Sequence, residues 1–586
     1  MKRTNLLTCL LLCTLLTGCV SSTAAEEISI TPMQESDLFS NRDTDFSWQD
    51  RDVTEIQLQN ETLTISEKGV YLLSGSIENG QIVVDAPKDE KVQLVLSGAS
   101  VHCDTHAALY VKQADKVFVT LAPGTENSLS SGASFIQYDD NNVDAALFSK
   151  EDLTLNGEGH LTLSSPAGHG VVSKDELTVT GGTYTVDAAS QGFSGQDNLC
   201  ISGGTFHITA GKDGLHAEHD EDTALGFVFI SGGTFQITAA QDGVSASGPM
   251  EIKNGTFTLL CGGGSENGEA HTDNMFGGMG GFGGKPGGMG GGRGGNRGGF
   301  GGFGDFGGNE TENTASAAET AKGLKAGGNL LLTGGTFTLN TADDALHTNA
   351  SMQVDGGAFT IRTGDDGFHA DDTLTINGGD ILITESYEGL EGLHIRVNGG
   401  SITLTADDDG LNAAGGTDES GYGGRDAFGG GRGGWGGGMP GMSVGNGSIV
   451  LSGGMLSVTA YGDGIDANGY LEMTGGQVTV CGPTQGDTAT LDYDTTAEIS
   501  GGTFIGTGAM GMAQTFSGGS QGKIALQVGS APAGTAFTLQ NAAGETLLTH
   551  TPALDYSVII LSSPELLIGQ SYTLHIGDAS GTFVAN

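Results

Sequence analysis

A repeat of about 22 residues constrains the fold of this chain more than any other feature of its sequence. Its marker is Gly-Gly, most often followed by Thr-Phe or a close variant, and uninterrupted copies lie 21 or 22 residues apart. A unit this short cannot bury an apolar face alone, so the units must stack to form a core. The first glycines of the copies are Gly181, Gly203, Gly232, Gly334, Gly356, Gly378, Gly399, Gly453, Gly475 and Gly501.

Each repeat has the pattern of three short strands separated by three corners. In the copy at 330–350, Phe337 and Leu339 alternate with Thr336 and Thr338, as in a strand with one buried face. No amphipathic helices lie between the strands, which excludes a TIM barrel or a doubly wound sheet, and a propeller needs a period nearer 40–45 residues. The sequence predicts an all-β fold, a right-handed single-stranded parallel β-helix over 46–520.

Three segments depart from this repeat. Residues 262–320 and 415–445 are rich in glycine, and such segments lack the apolar residues that hold a core, so we expect them to loop out from coil corners. Residues 521–586 lose the repeat and have the pattern of short strands. We expect them to form a small β cap over the open edge of the last coil.

The first 18 residues have the features of a secretory signal peptide. Lys2 and Arg3 precede an apolar run at 6–16 that is too short to span a bilayer. Leu16-Thr17-Gly18-Cys19 resembles the bacterial lipobox, in which the cysteine carries a lipid. The alternative is an ordinary signal peptide with a chance cysteine. We predict a lipid anchor at Cys19, a tether over 19–45, and a position on the extracellular face of the bacterial cell membrane.

The composition of the chain limits the kinds of partner that it is expected to bind. The chain has 70 Asp and Glu against 23 Lys and Arg, a formal net charge of −47, so binding to nucleic acid or directly to an anionic membrane is not expected. Four further cysteines, which have no CxxC or CxxH spacing, are predicted to be buried thiols rather than disulfides or metal ligands. They are Cys103, Cys200, Cys261 and Cys481. We expect a monomer.

A second marker, of the type Asp-Gly-Leu-His-Ala, follows the glycines by about ten residues. Stacked coils would place its carboxylates roughly 5 Å apart, where like charges repel by about 1 kcal/mol in water and several-fold more at a protein surface. Calcium would offset this repulsion, because it takes six to eight hard oxygen ligands. The alternative is that Asp-Gly serves only as turn chemistry. The predicted calcium ligands are Asp213, Asp242, Asp343, Asp344, Asp365, Asp366, Asp408, Asp409 and Asp463.

Three histidines occupy the fourth position of this marker, namely His216, His347 and His369. They could donate hydrogen bonds to a sugar or bind a metal. We favour a role as outward-facing or stacked strand residues. His347 and His369 are 22 residues apart and should stack on each other.

Several strings resemble the family of extracellular β-helical carbohydrate-binding proteins of Gram-positive, often plant-degrading, anaerobes. The resemblance implies a pectate-lyase-like β-helix, calcium ions bound along it, and binding of polygalacturonate and cellulose. The two glycine-rich inserts depart from the family pattern, as does Gln196, where earlier copies have Lys150 and Lys174. The strings that carry the resemblance are 69–75 (GVYLLSG), 148–153 (FSKEDL), 172–177 (VSKDEL), 195–198 (GQDN), the Asp-Gly-Leu-His-Ala series and 562–566 (SSPEL).

The sequence therefore predicts a cell-surface lipoprotein that binds a polysaccharide, in particular an acidic plant-type polymer such as polygalacturonate, through bound calcium. One alternative is a polysaccharide lyase, whose calcium-dependent β-elimination would use Lys150, Lys174 or Lys212 as the base. Another is a structural surface adhesin with the inserts as contact loops, in which Trp435 could stack on a sugar or a partner. Lys and Arg are scarce in the regular coils, which favours a binding protein over an enzyme.

The lipid anchor has a direct test. Replacement Cys19→Ala should release the protein from the membrane fraction, because it removes the only thiol of the lipobox. Cys13→Ala, a cysteine within the predicted signal peptide, is the matched control and should leave membrane association unchanged. If the Cys19→Ala protein stays as membrane-bound as the parent by cell fractionation, the lipobox prediction is wrong.

Overall fold

The computed structural model describes residues 29–137, 142–268, 320–414, 446–486 and 488–586. The predicted signal peptide, Cys19 and most of both glycine-rich inserts lie outside these residues.

The described chain is all-β, and most of its strands pair in parallel within one sheet of 44 strands. In the regular coils each strand pairs with the strand three places later, so that equivalent residues of successive repeats face each other. Phe337, for example, is in register with Phe257 on one side and Phe359 on the other. The all-β prediction is confirmed, and the pairing order is consistent with the predicted coil of three strands.

The parallel strands fall into three series, which run side by side along the stack. Four long strands contribute to two series at once. The first series comprises Val53–Leu58, Gly69–Ile77, Lys91–Cys103, Lys116–Leu121, Asp152–Gly157, Glu176–Val179, Asn198–Ile201, Phe227–Ile230, Met250–Ile252, Leu330–Leu332, Met352–Val354, Phe368–Ile376, Leu390–Val397, Gly447–Leu451, Gly469–Met473 and Thr496–Ile499. The second series begins at the ends of Gly69–Ile77 and Lys91–Cys103 and continues with Glu126–Ser131, His160–Ser165, Thr183–Ala188, Thr205–Ala210, Thr234–Ala239, Thr256–Cys261, Thr336–Thr341, Ala358–Thr363, Asp380–Glu385, Ser401–Ala406, Met455–Ala460, Gln477–Cys481 and Thr503–Gly508. The third series comprises Leu63–Ile65, Ile82–Asp85, Leu109–Gln113, Ala145–Ser149, His169–Ser173, Phe193–Gly195, Leu215–Ala217, Val244–Ala246, Leu324–Ala326, Leu346–Thr348, the starts of Phe368–Ile376 and Leu390–Val397, then Leu411–Asn412, Asp466–Ala467 and Asp492–Tyr493.

The pairing changes direction after the last repeat. Tyr556–Ser562 runs antiparallel to both Thr503–Gly508 and Lys523–Ala531, and thereby covers the edge of the last second-series strand. A separate antiparallel sheet holds Phe537–Gln540, Thr546–His550, Ser571–Ile576 and Ala579–Val584. The described helices are Glu35–Leu38, Asn41–Thr44 and the 3-10 turn Ser265–Asn267. Within the part of the chain that the structure describes, no helix is long and apolar enough to cross a membrane.

The Gly-Gly marker is required by two separate constraints. The second glycine of all ten copies has φ between 77° and 123°, a region that residues with a Cβ rarely adopt. The first glycine lies against the backbone of the preceding coil. A Cβ at Gly334 would come within 2.7 Å of the Lys253 carbonyl oxygen. These two constraints explain the glycine pair in the ten copies, while the coil of Phe257 keeps only the second glycine, Gly255.

The residue two places after the second glycine forms the centre of the core. Its aromatic rings stack from coil to coil with centroids 4.6–5.3 Å apart. Phe257 and Phe337 stack directly although 80 positions separate them in the sequence, so the coils on either side of the first insert are neighbours. The rings of this stack are Tyr184, Phe206, Phe235, Phe257, Phe337 and Phe359.

The described part of the predicted tether, residues 29–45, differs from a free tether because it packs along the coils. Asp43 is buried, 3.0 Å from Lys116 Nζ, and accepts a hydrogen bond from Thr154 Oγ1. At the other end of the segment, the backbone N–H of Ile30 donates to Gln353 Oε1. The polar composition that predicted a tether instead supplies partners for polar side chains on the coil surface.

The four cysteines outside the signal and lipobox are all free and buried, as predicted. Burial raises the pKa of the Cys261 thiol well above its usual value. All four cysteines are therefore core residues, and the Cys261 thiol is a poor nucleophile.

The aromatic stack should carry a large share of local stability. Phe257→Ala should lower the free energy of unfolding by about 3–5 kcal/mol, because the cavity would lie between two stacked rings. Thr258→Ala, the exposed neighbour on the same strand, should change it by less than about 0.5 kcal/mol. Urea denaturation of both variants compares them, and equal losses would contradict a core role for the stack.

Candidate functional site

The third strand series carries a continuous row of polar side chains, which we call the polar ladder. Its members occupy one register position, so each side chain stands next to its equivalent in the adjacent coils. In chain order they are Ser194, His216, Ser245, Lys325, His347, His369, Glu391, Asn412, Asp466 and Asp492.

Three residues before each ladder position lies a second row, the corner column. Here a side-chain oxygen of one coil accepts the backbone N–H of the equivalent residue in the next coil. Asp213 Oδ1 accepts from Asp242 N at 3.0 Å, and Asp344 Oδ1 accepts from Asp366 N at 3.0 Å. The residues that take part are Asp213, Asp242, Lys322, Asp344, Asp366, Glu388, Asp409 and Asp463. Six of the nine predicted aspartates thus stack and bond the corners together, while the ligation of a metal stays a prediction.

The structure adds a repeat copy that the sequence analysis missed, Lys322-Gly323-Leu324-Lys325-Ala326. It lies 22 residues before the Asp344 copy, but lysine replaces both polar positions of the marker. The buried Lys322 ammonium is 2.8 Å from Asp343 Oδ1 and also pairs with Asp344. Although burial alone would raise it, the neighbouring Lys322 and His347 hold the pKa of Asp344 well below its usual value.

Lys325 takes the ladder position in the same coil. Its Nζ is 3.8 Å from Asp242 Oδ2. Burial outweighs this lysine and raises the pKa of Asp242 to about 6. The middle coils therefore contain their own cations beside the corner carboxylates.

The ladder histidines also pair with carboxylates. His216 Nδ1 is 2.8 Å from Asp213 and its Nε2 is 3.2 Å from Glu218. Burial lowers the pKa of His216, but these two carboxylates outweigh it and raise the pKa to about 9. His216 is therefore an imidazolium at neutral pH.

His369 is enclosed by three carboxylates, from Asp366, Asp371 and Glu391, at 2.5–3.3 Å. It stacks on His347 with ring centroids 4.8 Å apart, which confirms the stacking prediction. Of the two alternatives predicted for these histidines, stacking holds for His347 and His369, whereas an outward-facing position does not, because all three histidines are buried beside carboxylates.

The C-terminal coils carry aspartates at the corner and ladder positions. Oxygens of Asp409, Asp463 and Asp466 lie within 4.8 Å of one another, and we call these three residues the acidic cluster. Across 29–137, 142–268, 320–414, 446–486 and 488–586, no lysine, arginine or histidine forms an ion pair with Asp409 or Asp466. Burial and Asp463 raise the pKa of Asp409 to about 8, and the same two causes raise the pKa of Asp466 to about 7.

Two neighbours extend the acidic cluster. Glu388 is buried, and burial with Glu391 and Asp409 raises its pKa well above its usual value. Its Oε1 accepts a hydrogen bond from Asn412, while its Oε2 has no hydrogen-bond partner in the described structure. A Cβ at Gly462 would come within 2.2 Å of Asp408 Oδ1 and 2.5 Å of Asp409 Oδ1, so this glycine leaves room beside the carboxylates.

The predicted calcium ligands therefore fall into different environments. Asp213 and Asp366 pair with histidine, and Asp242 and Asp344 pair with lysine. Asp343 and Asp365 lie with Asp344 in a second group of carboxylates, of which Lys322 contacts two. Around Asp409 and Asp463, with Asp408 at their edge, the donors of the described site are also all oxygen, as calcium requires, and Lys322 does not contact them. Asp466 belongs to this group and was missed, because it stands at the ladder position rather than at the Asp-Gly corner.

The three lysines considered as a lyase base do not join the acidic cluster. Lys212 is exposed, and Lys150 and Lys174 lie at the same corner of successive coils near the start of the ladder. The polar ladder therefore has cationic side chains beside the corner carboxylates in its earlier coils, and the acidic cluster lies at its C-terminal end.

Comparison with known proteins identifies the family to which the chain belongs. A family model described as "Carbohydrate-binding domain-containing protein" matches residues 59–367, more than half of the chain, and the chain belongs to this family. The resemblance inferred from the sequence is thereby confirmed as far as the carbohydrate-binding family. A relative with the same description from Acetivibrio thermocellus is 36% identical over 127 residues, which are 21% of this chain and 44% of the relative. The chain thus spans less than half the length of that relative.

A solved structure, described as that of a polysaccharide lyase-like protein from C. thermocellum in a gadolinium derivative, is also similar. The identity is 30%, the similarity covers 36% of this chain and 91% of the other, and the TM-score is 0.34.

The internal cation of the middle coils can be tested by substitution. Lys322→Met should lower the free energy of unfolding by about 3–5 kcal/mol, because it leaves buried carboxylates without their cation. Lys212→Met removes an exposed lysine beside the same kind of corner and should cost less than about 0.5 kcal/mol. Adding Asp344→Asn should recover part of the loss, since it removes one uncompensated charge. Equal stabilities of the two lysine variants in urea would contradict the assignment.

Proposed function

We propose that this protein is a cell-surface, lipid-anchored, monomeric polysaccharide-binding protein. Its body would be a right-handed parallel β-helix that binds an acidic plant-type polymer such as polygalacturonate through calcium. Membership of the carbohydrate-binding family supports the binding of a carbohydrate. The acidic polymer, the calcium and the anchor at Cys19 are parts of the proposal.

The observation that carries the calcium proposal is the acidic cluster. Its three carboxylates have oxygens within 4.8 Å of one another, and the pKa is raised to about 8 for Asp409 and to about 7 for Asp466. Negative charges on these groups repel one another at neutral pH. A divalent cation would relieve this repulsion. Asp409, Asp463 and Asp466 would hold it, with oxygen from Asp408 and Glu388 in reach of the same region.

The same ion would also offset the repulsion between the protein and an acidic polymer. A chain of net charge −47 repels an anionic polymer. Calcium held by protein carboxylates can also accept uronate oxygens, because it binds more oxygen ligands than three aspartates supply. Binding would then depend on the ion at the contact itself.

A binding protein fits the site better than a lyase. Calcium-dependent elimination needs a base beside the metal. Among the residues described here, Asp409 and Asp466 form no ion pair with a basic side chain, and the nearest candidates from the sequence lie at the other end of the ladder.

Calcium should raise the melting temperature, and a chelator should lower it. Binding to the folded state alone stabilises by about 2.7 kcal/mol at a hundredfold excess over Kd. The pair Asp409→Asn and Asp466→Asn should lose most of this effect, together with calcium-dependent binding of polygalacturonate. Asparagine keeps the Oδ1 acceptor that Asp463 N uses, so the corner should stay folded.

Asp407→Asn is the matched control, because this exposed aspartate lies in the same turn outside the cluster. It should retain the calcium-dependent rise in melting temperature and the polymer binding. If calcium changes neither property in the parent protein, the corner aspartates serve only to bond the turns together.

A further inference from the structure

A polar cleft lies at the N-terminal end of the polar ladder, far from the acidic cluster. Its volume is about 400 Å³, within the range of small-molecule sites. Ser194 and His216 line it from the ladder, and Lys174 and Gln196 line it from the neighbouring corner. A loop that includes Glu218–Glu221 completes the lining.

An insertion in one repeat builds this cleft. The step from Gly203 to Gly232 is 29 residues, seven more than the regular coil, and the additional residues fall in the loop after the ladder strand Leu215–Ala217. The loop is ordered around His219. The ring Nδ1 of His219 accepts hydrogen bonds from the backbone N–H groups of Glu221 and Asp222 at 3.3 and 3.0 Å. The backbone N–H of His219 donates to Ser247 Oγ. One side of the cleft is therefore preformed.

The lining has unused hydrogen-bonding capacity. In the part of the chain that the structure describes, no hydrogen bond or ion pair engages the side chains of Lys174, Ser194, Gln196 or Glu221. His216 and Glu218 pair with each other at 3.2 Å and leave further oxygen capacity on the carboxylate. Donors and acceptors thus converge on one space, as the hydroxyl groups of a sugar require.

The charge of the lining selects against an anionic sugar. The lining contains one lysine, Lys174, and three carboxylates, from Glu218, Asp220 and Glu221. The corner position that is lysine in the two preceding coils, Lys150 and Lys174, is the neutral Gln196 in the coil of the cleft. A uronate would meet a net negative site, whereas a neutral sugar would meet only polar partners.

We propose that this cleft binds a neutral sugar unit of a polysaccharide through its hydroxyl groups, without a bound cation. The inference rests on the proposed function in that the ligand is a polysaccharide, but it uses none of the residues of the acidic cluster. Six ladder steps, about 29 Å at the spacing of parallel strands, separate His216 from Asn412 beside that cluster. One face of the protein would then carry a cation-free subsite for neutral units and a separate calcium-dependent site for acidic ones.

The test uses the full chain with excess chelator on an array of neutral and uronic-acid oligosaccharides, followed by calorimetry. Calorimetry then uses three probes. They are cellotetraose, tetragalacturonate, and the neutral oligosaccharide that binds most strongly on the array. We expect at least one neutral oligosaccharide to bind and tetragalacturonate not to bind. Lys174→Ala combined with Gln196→Ala should weaken the neutral ligand by roughly tenfold or more, the loss expected for two polar contacts.

Lys150→Ala is the matched control, since it removes the equivalent lysine one coil away from the cleft. It should leave the binding of the neutral oligosaccharide unchanged. The inference is overturned if no neutral oligosaccharide binds in chelator, if tetragalacturonate binds better, or if the Lys174/Gln196 variant binds like the parent. Neutral binding that survives while calcium-dependent polygalacturonate binding is absent would instead refute the proposed function and leave this subsite intact.

Discussion

The fold depends on parallel pairing in which each residue faces its own equivalent in the next coil. This register repeats every side chain along an axis at the spacing of neighbouring strands. Where the repeated residue is Phe337 or its equivalents, the result is a stack of rings at favourable separation. Where it is the corner aspartate, the same register builds a row of like charges. The pairing that creates the core therefore also creates the electrostatic problem of the corner.

The molecule meets this problem differently along its length. Near the start of the ladder a histidine takes up the charge, as His216 does between Asp213 and Glu218. In the middle, Lys322 and Lys325 stand in the positions that carboxylate and histidine occupy elsewhere. The last coils carry Asp409 and Asp463 at the corner and Asp466 on the ladder, and these three carboxylates lie together. A single backbone register thus supports sites of different charge, set by two side chains per coil.

The sequence predicts the parts that the repeat itself encodes. The period of Gly334 and Phe337 with their equivalents is enough to predict parallel strands, a stacked core and a column of corner aspartates. It does not identify Lys322-Gly-Leu-Lys-Ala, because the marker was defined by its acid and this copy reverses the charge. Nor does it place the acidic cluster, since the ladder position of Asp466 gains its meaning only from the pairing with Asn412. The contacts of residues 29–45 are long-range and leave no periodic signal.

The packing of residues 29–45 has a mechanical consequence. The segment runs against the order of the coils, from Ile30 at Gln353, past Glu35 at Ser231 and Lys253, to Asp43 at Lys116 and Thr154. A pull on the chain ahead of Ile30 would load these contacts in shear, together and along the side of the stack. The first strand, Val53–Leu58, would feel the force only after the segment had detached. A protein held by this end would resist drag through its flank rather than unwind coil by coil from its terminus.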